Sequence, residues 1–239
     1  MTYFLTSMPT LDDEFKIDPA NGLVDNIKKY LPDKPKALLI PADPKYYKRA
    51  DQAAKEFQSM FENSGIIFEE FKVLDRRYMD DTRELIENAD FILLGGGHVR
   101  TQNNFIHRIS LTECVYNPNK VVLGISAGSM NMASDTYAQP YIKGEFSNEN
   151  LERFLDGLGI TDTSIVPHFE DLPNRQIEGH RQLEDVVIPD SKKRPLIGLT
   201  DKSYILGTSE GETIYGEAYE INDGIVTKLS ENGQTYKLT

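Results

Sequence analysis

A chain of 239 residues, 39% hydrophobic and 27% charged, can bury a sizeable core, and that composition excludes a disordered or fibrous polymer. Its net charge of −12 argues against a nucleic-acid surface, which needs clustered Lys and Arg. The lone Cys114 allows no internal disulfide and suits a reducing compartment, and neither a leader-like start nor a run near the roughly 18–20 apolar residues of a membrane span is visible. The sequence therefore reads as cytoplasmic, with no nucleic-acid or membrane partner.

In chain order, short apolar runs predict strands at 3–6, 37–41, 66–73, 91–94, 121–125, 164–167 and 196–199. Helical patterns fall between them, at 22–31, 44–63, 82–88, 100–114, 128–134, 149–157 and 175–187. Within the second helix, Tyr46, Ala50, Ala53, Ala54, Phe57 and Phe61 recur at helical spacing, the stripe of a core-facing helix. Alternation of this kind implies an α/β fold with a doubly wound, mostly parallel sheet. Past residue 200 the character changes. Segments 203–207, 213–220 and 225–229, with turns at Glu210-Gly211 and Asn222-Asp223-Gly224, predict antiparallel edge strands extending the same sheet. No linker divides residues 1–239, which implies one domain.

Three motifs stand at predicted strand ends. Gly124-Ile125-Ser126-Ala127-Gly128 follows an apolar strand and satisfies G-x-S-x-G; a strained turn there needs small neighbours and projects the Ser126 hydroxyl beside a helix N-terminus. Gly95-Gly96-Gly97 lets the backbone approach a ligand closely. A dinucleotide fingerprint fails at that triplet, because Arg100 occupies the third glycine position. His168, in Ile165-Val166-Pro167-His168-Phe169, ends another buried strand, at the edge where open α/β sheets place ligands. A serine–histidine pair needs a carboxylate to fix the imidazole tautomer, and Asp135, Glu145, Glu170 and Asp171 are all near enough in sequence.

With these motifs in this order, the chain resembles the dipeptidase E and cyanophycinase family of serine peptidases. That resemblance implies a flavodoxin-like, class I glutamine amidotransferase-like fold of three layers and a Ser–His–acid triad, in which Ser126 and His168 match the first two members. For the acid it points to Glu145, because Gly144-Glu145, Asn148 and Gly157-Leu158-Gly159-Ile160 match the cyanophycinase branch; Asp135 is the second choice. The Asp before a Met-Pro pair in the dipeptidase E branch has only Gln139-Pro140 as its counterpart.

The expected reaction is hydrolysis of short peptides through an acyl-enzyme. His168 acts as general base, the Ala127 amide with that of Gly96 or Gly97 forms an oxyanion hole, and neither metal nor cofactor takes part. The family's preference for an acidic residue on the acyl side implies an arginine reader, for which Arg175 and Arg181 are candidates, with His98 as a further substrate contact. The competing readings are an amidotransferase-like hydrolase, which needs Cys where Ser126 stands, and a catalytically silent binding protein of the same fold. The partner is a small peptide, and the protein is a monomer or homodimer.

Overall fold

The computed structural model describes residues 1–10 and 15–238. Strands β1 (Thr2–Thr6), β2 (Lys36–Ile40), β3 (Glu70–Val73), β4 (Phe91–Leu94) and β5 (Val121–Ile125) run parallel in the order 1-5-4-2-3. Between them lie helices α1 (Leu23–Lys28), α2 (Tyr47–Asn63), α3 (Thr82–Asn88) and α4 (Val99–Arg108), and α5 (Ala127–Met130) follows β5 after one residue.

Because side chains alternate across a strand, each apolar run feeds two cores. Phe91 and Leu93 of β4 pack with Ile27 of α1 and Phe61 of α2, whereas Ile92 and Leu94 pack with Ile86 of α3 and Phe105 of α4. Phe61 is fully buried, and its ring stands edge-on to Phe91 at 5.3 Å between centroids; truncation to Ala there would cost about 3–5 kcal/mol. The expected stripe on α2 buries Ala50, Ala54 and Phe61, while Tyr46 at its start is exposed.

Past α5 the chain leaves the parallel sheet. β6 (Asp135–Tyr137) pairs with β7 (Phe154–Asp156), followed by β8 (Ile165–Val166) and the hairpin of β9 (Gln176–Ile177) and β10 (His180–Arg181). A π-helical turn at Gln182–Val187 enters α6 (Ile188–Asp190). β11 (Leu196–Leu199), β12 (Tyr204–Thr208), β13 (Gly211–Tyr215), β14 (Ala218–Asn222), β15 (Ile225–Ser230) and β16 (Thr235–Lys237) complete the chain.

β12 adds antiparallel to β1, β13 antiparallel to β12 and β16 antiparallel to β13, which completes an eight-stranded, mostly parallel sheet. β8, β11, β14 and β15 form a second sheet of four, so the expectation that every C-terminal strand extends one sheet is corrected. The strand expected at 213–220 is two strands on different sheets, split at Gly216, whose φ of +99° turns the chain. Residues 149–157 hold β7 rather than a helix, and 175–187 open with the β9–β10 hairpin. Among the described residues, no helix is long and apolar enough to cross a membrane.

Candidate active site

The site forms where the C-terminal ends of β1, β4 and β5 in the large sheet face those of β8 and β11 in the small one. Ser126, between β5 and α5, has φ 51° and ψ −113°, a strained conformation costing about 1–3 kcal/mol. Its N–H donates to Thr6 O at 2.9 Å and Ser7 O at 3.1 Å, which fastens the turn to the end of β1. The glycines on either side are steric requirements. A Cβ on Gly124 would lie 2.4 Å from Ser129 N, and one on Gly128 would lie 2.0 Å from Leu94 O. The turn is tight because α5 doubles back against both β5 and β4.

His168 follows β8 with φ 55° and ψ 39°, and its N–H donates to Ser7 Oγ at 2.8 Å. The ring Nε2 is 3.0 Å from Ser126 Oγ, and Nδ1 is 2.8 Å from Asp201 Oδ1. A carboxylate can only accept, so Nδ1 carries the proton and the Nε2 lone pair faces the serine hydroxyl. The same Asp201 oxygen accepts from Ser7 Oγ at 2.6 Å and from Met8 N at 3.2 Å. Burial pushes the Asp201 carboxyl up, but the His168 and Ser7 hydrogen bonds outweigh it and hold the group below the usual carboxylate range. Ser7 thus ties together imidazole backbone, carboxylate and nucleophile strand.

Glu145 stands elsewhere, which corrects its assignment to His168. Its Oε1 is 3.0 Å from His98 Nε2, and its Oε2 accepts from the N–H groups of Tyr141 at 2.8 Å and Ile142 at 3.2 Å. Burial raises this carboxyl too, and those backbone donors with His98 more than offset it, leaving it below the ordinary range. The other acids are also engaged away from the imidazole. Asp135 pairs with Arg194, Glu170 accepts from Asp201 N at 2.8 Å, and Asp171 pairs with Arg175 at 2.7 Å.

A cavity of about 400 Å³ opens over Ser126 and His168. Gly96, Gly97 and Ala127 line it, as do His98, Arg100 and Arg175. His98 presents a ring whose two nitrogens already meet Thr101 and Glu145. Arg181 is not among the described lining residues of the cavity; its side chain is 55% exposed and paired with Asp185. Sequence reasoning overlooked Asp201, Ser7 and Arg100 as site residues. Asp201 carried a usable signal, an acid two residues past the strand ending at Leu199, the same position His168 holds after Val166. Arg100 donates to Ala138 O at 2.8 Å and Glu152 O at 2.6 Å, and its Nε lies 3.4 Å from Glu145 Oε1. Among the described residues no group of three or more His, Cys, Asp or Glu could hold a metal ion.

An alcohol, an imidazole and a carboxylate in hydrogen-bonded sequence, on a three-layer α/β scaffold, define the serine hydrolase class by geometry and not by chain order. Within that class the chain belongs to peptidase family S51, whose model matches residues 4–214, and it is a serine-type peptidase. No curated protein matches it. Among solved structures it is similar to a peptidase from an acI-B1 Actinobacterium, at 19% identity and a TM-score of 0.71 over 99% of this chain and 96% of that one. It is also similar to a candidate peptidase E protein from Listeria monocytogenes EGD-e, at 17% identity and a TM-score of 0.60 over 96% of this chain and 98% of the other. At such identities the likeness shows the fold.

Proposed function

We propose that the protein hydrolyses short peptides through a Ser126–His168–Asp201 triad and an acyl-enzyme, with residues 1–239 acting as one catalytic domain. The observation that carries this reading is the chain of contacts from Ser126 Oγ to His168 Nε2, 3.0 Å, and from His168 Nδ1 to Asp201 Oδ1, 2.8 Å. His168 removes the hydroxyl proton as Ser126 attacks the carbonyl carbon, and Asp201 stabilises the imidazolium that results. The proton then passes to the leaving amine, and water activated by the same imidazole releases the acyl group. The Ala127 N–H and that of Gly96 or Gly97 are the oxyanion donors, each supplying about 3–4 kcal/mol in the transition state.

Arg175 and Arg100 support recognition of an acidic acyl-side residue, since both line the cavity and no carboxylate is among its described lining residues. A fluorophosphonate probe tests the chemistry. It should label Ser126 alone, and His168→Ala should abolish labelling; a folded protein that stays unlabelled would overturn the reading.

A further inference from the structure

We propose that a second compartment, beside the glycine loop, binds a carboxylate of the peptide substrate through Arg49. This rests on the peptidase reading above and extends it to a part of the peptide remote from the scissile bond. The compartment, about 190 Å³, lies between the start of α2 and residues 95–97. It shares Phe57 and residues 96–98 with the catalytic cavity, so a peptide over Ser126 reaches it across the glycine loop. Neither His168 nor Arg175 lines it, so its occupant is a different part of the chain from the one those residues meet.

Its walls are mostly apolar, from Leu39, Pro41, Ala50 and Phe57, and Arg49 is the cation among its described lining residues. Arg49 is exposed at the rim of the compartment, and its planar guanidinium matches a carboxylate in two-point contact. Asp43, also in the lining, turns Oδ1 into its own loop, where it accepts from Lys45 N at 3.0 Å. Lys45, Lys48 and Arg49 make no ion pair among the described residues, so this turn is a local reversal of sign on a chain of net charge −12. A volume suited to one residue, with its single cation uncommitted, is a subsite for a chain-terminal carboxylate or for an acidic side chain.

The test is equilibrium binding to Ser126→Ala protein, which bypasses turnover and so gives a result whether or not Ser126 is the nucleophile. Three probes are compared: Asp-Ala-Ala, its C-terminal amide, and Asp-Ala-Glu amide. Adding Arg49→Gln should raise the Kd of at least one peptide with a carboxylate beyond the first residue by about five- to tenfold, and that of the Asp-Ala-Ala amide by less than twofold. Loss for Asp-Ala-Ala assigns the chain terminus, and loss for Asp-Ala-Glu amide assigns the side chain. Lys34→Gln, the same charge change on an exposed residue before β2 at the opposite sheet edge, should leave all three alike. Equal effects of Arg49→Gln on charged and neutral peptides, no effect on any, or the same loss from Lys34→Gln would overturn the proposal.

Discussion

Asp201→Asn separates the carboxylate that the structure sets against His168 from the one expected from sequence. The amide is isosteric, and with its oxygen in the Oδ1 position Ser7, Met8 and the His168 Nδ1–H all keep their acceptor. In either orientation of the amide the charge beside His168 is lost. The negative charge that stabilises the imidazolium disappears: for unit charges about 4 Å apart at an effective dielectric of about 20, that is about 4 kcal/mol, or about 10³-fold in rate. If the amide instead turns its NH₂ to Nδ1, Ser7 and Met8 lose their acceptor, the ring proton moves to Nε2 and a donor faces Ser126; the two orientations bracket a loss of about 10³–10⁴ in kcat/KM. Asp201 is 33% exposed at its side chain, and solvent screening favours the lower end of that range. The assay is steady-state cleavage of a short chromogenic peptide with Asp on the acyl side, on protein whose melting curve shows it folded. Glu145→Gln, run alongside, should stay within about tenfold of wild type in kcat, because its partners are His98 and the backbone at Tyr141 and Ile142. The reasoning is refuted if Asp201→Asn keeps activity within tenfold while Glu145→Gln loses about 10³.

The remaining expectations concern backbone, pH and specificity. Gly128→Ala, whose Cβ would sit 2.0 Å from Leu94 O, should destabilise by about 3 kcal/mol and lower Tm by about 6–12 °C in a thermal melt; an unchanged Tm would show that the turn relaxes freely. Because the Asp201 carboxyl is held below its ordinary value, its contribution to stability is present above the ordinary carboxylate pKa near ~3.9 and fades as pH falls through the lower folded value. Urea melts should therefore show a stability gap between wild type and Asp201→Asn that is constant above about pH 5 and shrinks below about pH 4. A gap that persists unchanged to pH 3 contradicts this. Arg175→Gln should erase any preference for Asp over Asn at the acyl position while Arg181→Gln leaves it intact, read as the ratio of kcat/KM for the two peptides.

The buried strands were legible because their signal is local. Phe91–Leu94, Val121–Ile125 and Leu196–Leu199 are unbroken apolar runs with boundaries marked by glycine, polar residues or proline. Ser126 and His168 could be named for the same reason, since each sits directly past such a run. What stayed hidden is pairing. Nothing within Ile165–Val166 or Ala218–Asn222 says that these strands leave the large sheet for a second one, because sheet membership is decided by contacts between distant segments. The acid was misplaced through a related difficulty. Asp201 lies 33 residues beyond His168, in the turn that carries the chain from β11 on one sheet to β12 on the other, and only the parallel pairing of β8 with β11 brings it to the imidazole. Glu145 matched a local motif, yet its carboxylate is consumed by a loop of which it is itself part.

The central claim is that Ser126 and His168 act as one unit, and the sharpest measurement is kcat/KM for Ser126→Ala, His168→Ala and the double variant on one peptide. Residues that share a single proton transfer are strongly non-additive, so the double variant should be no slower than the more damaged single one. Losses that multiply would mean that the two side chains work independently, and the 3.0 Å contact between them would then carry no catalysis.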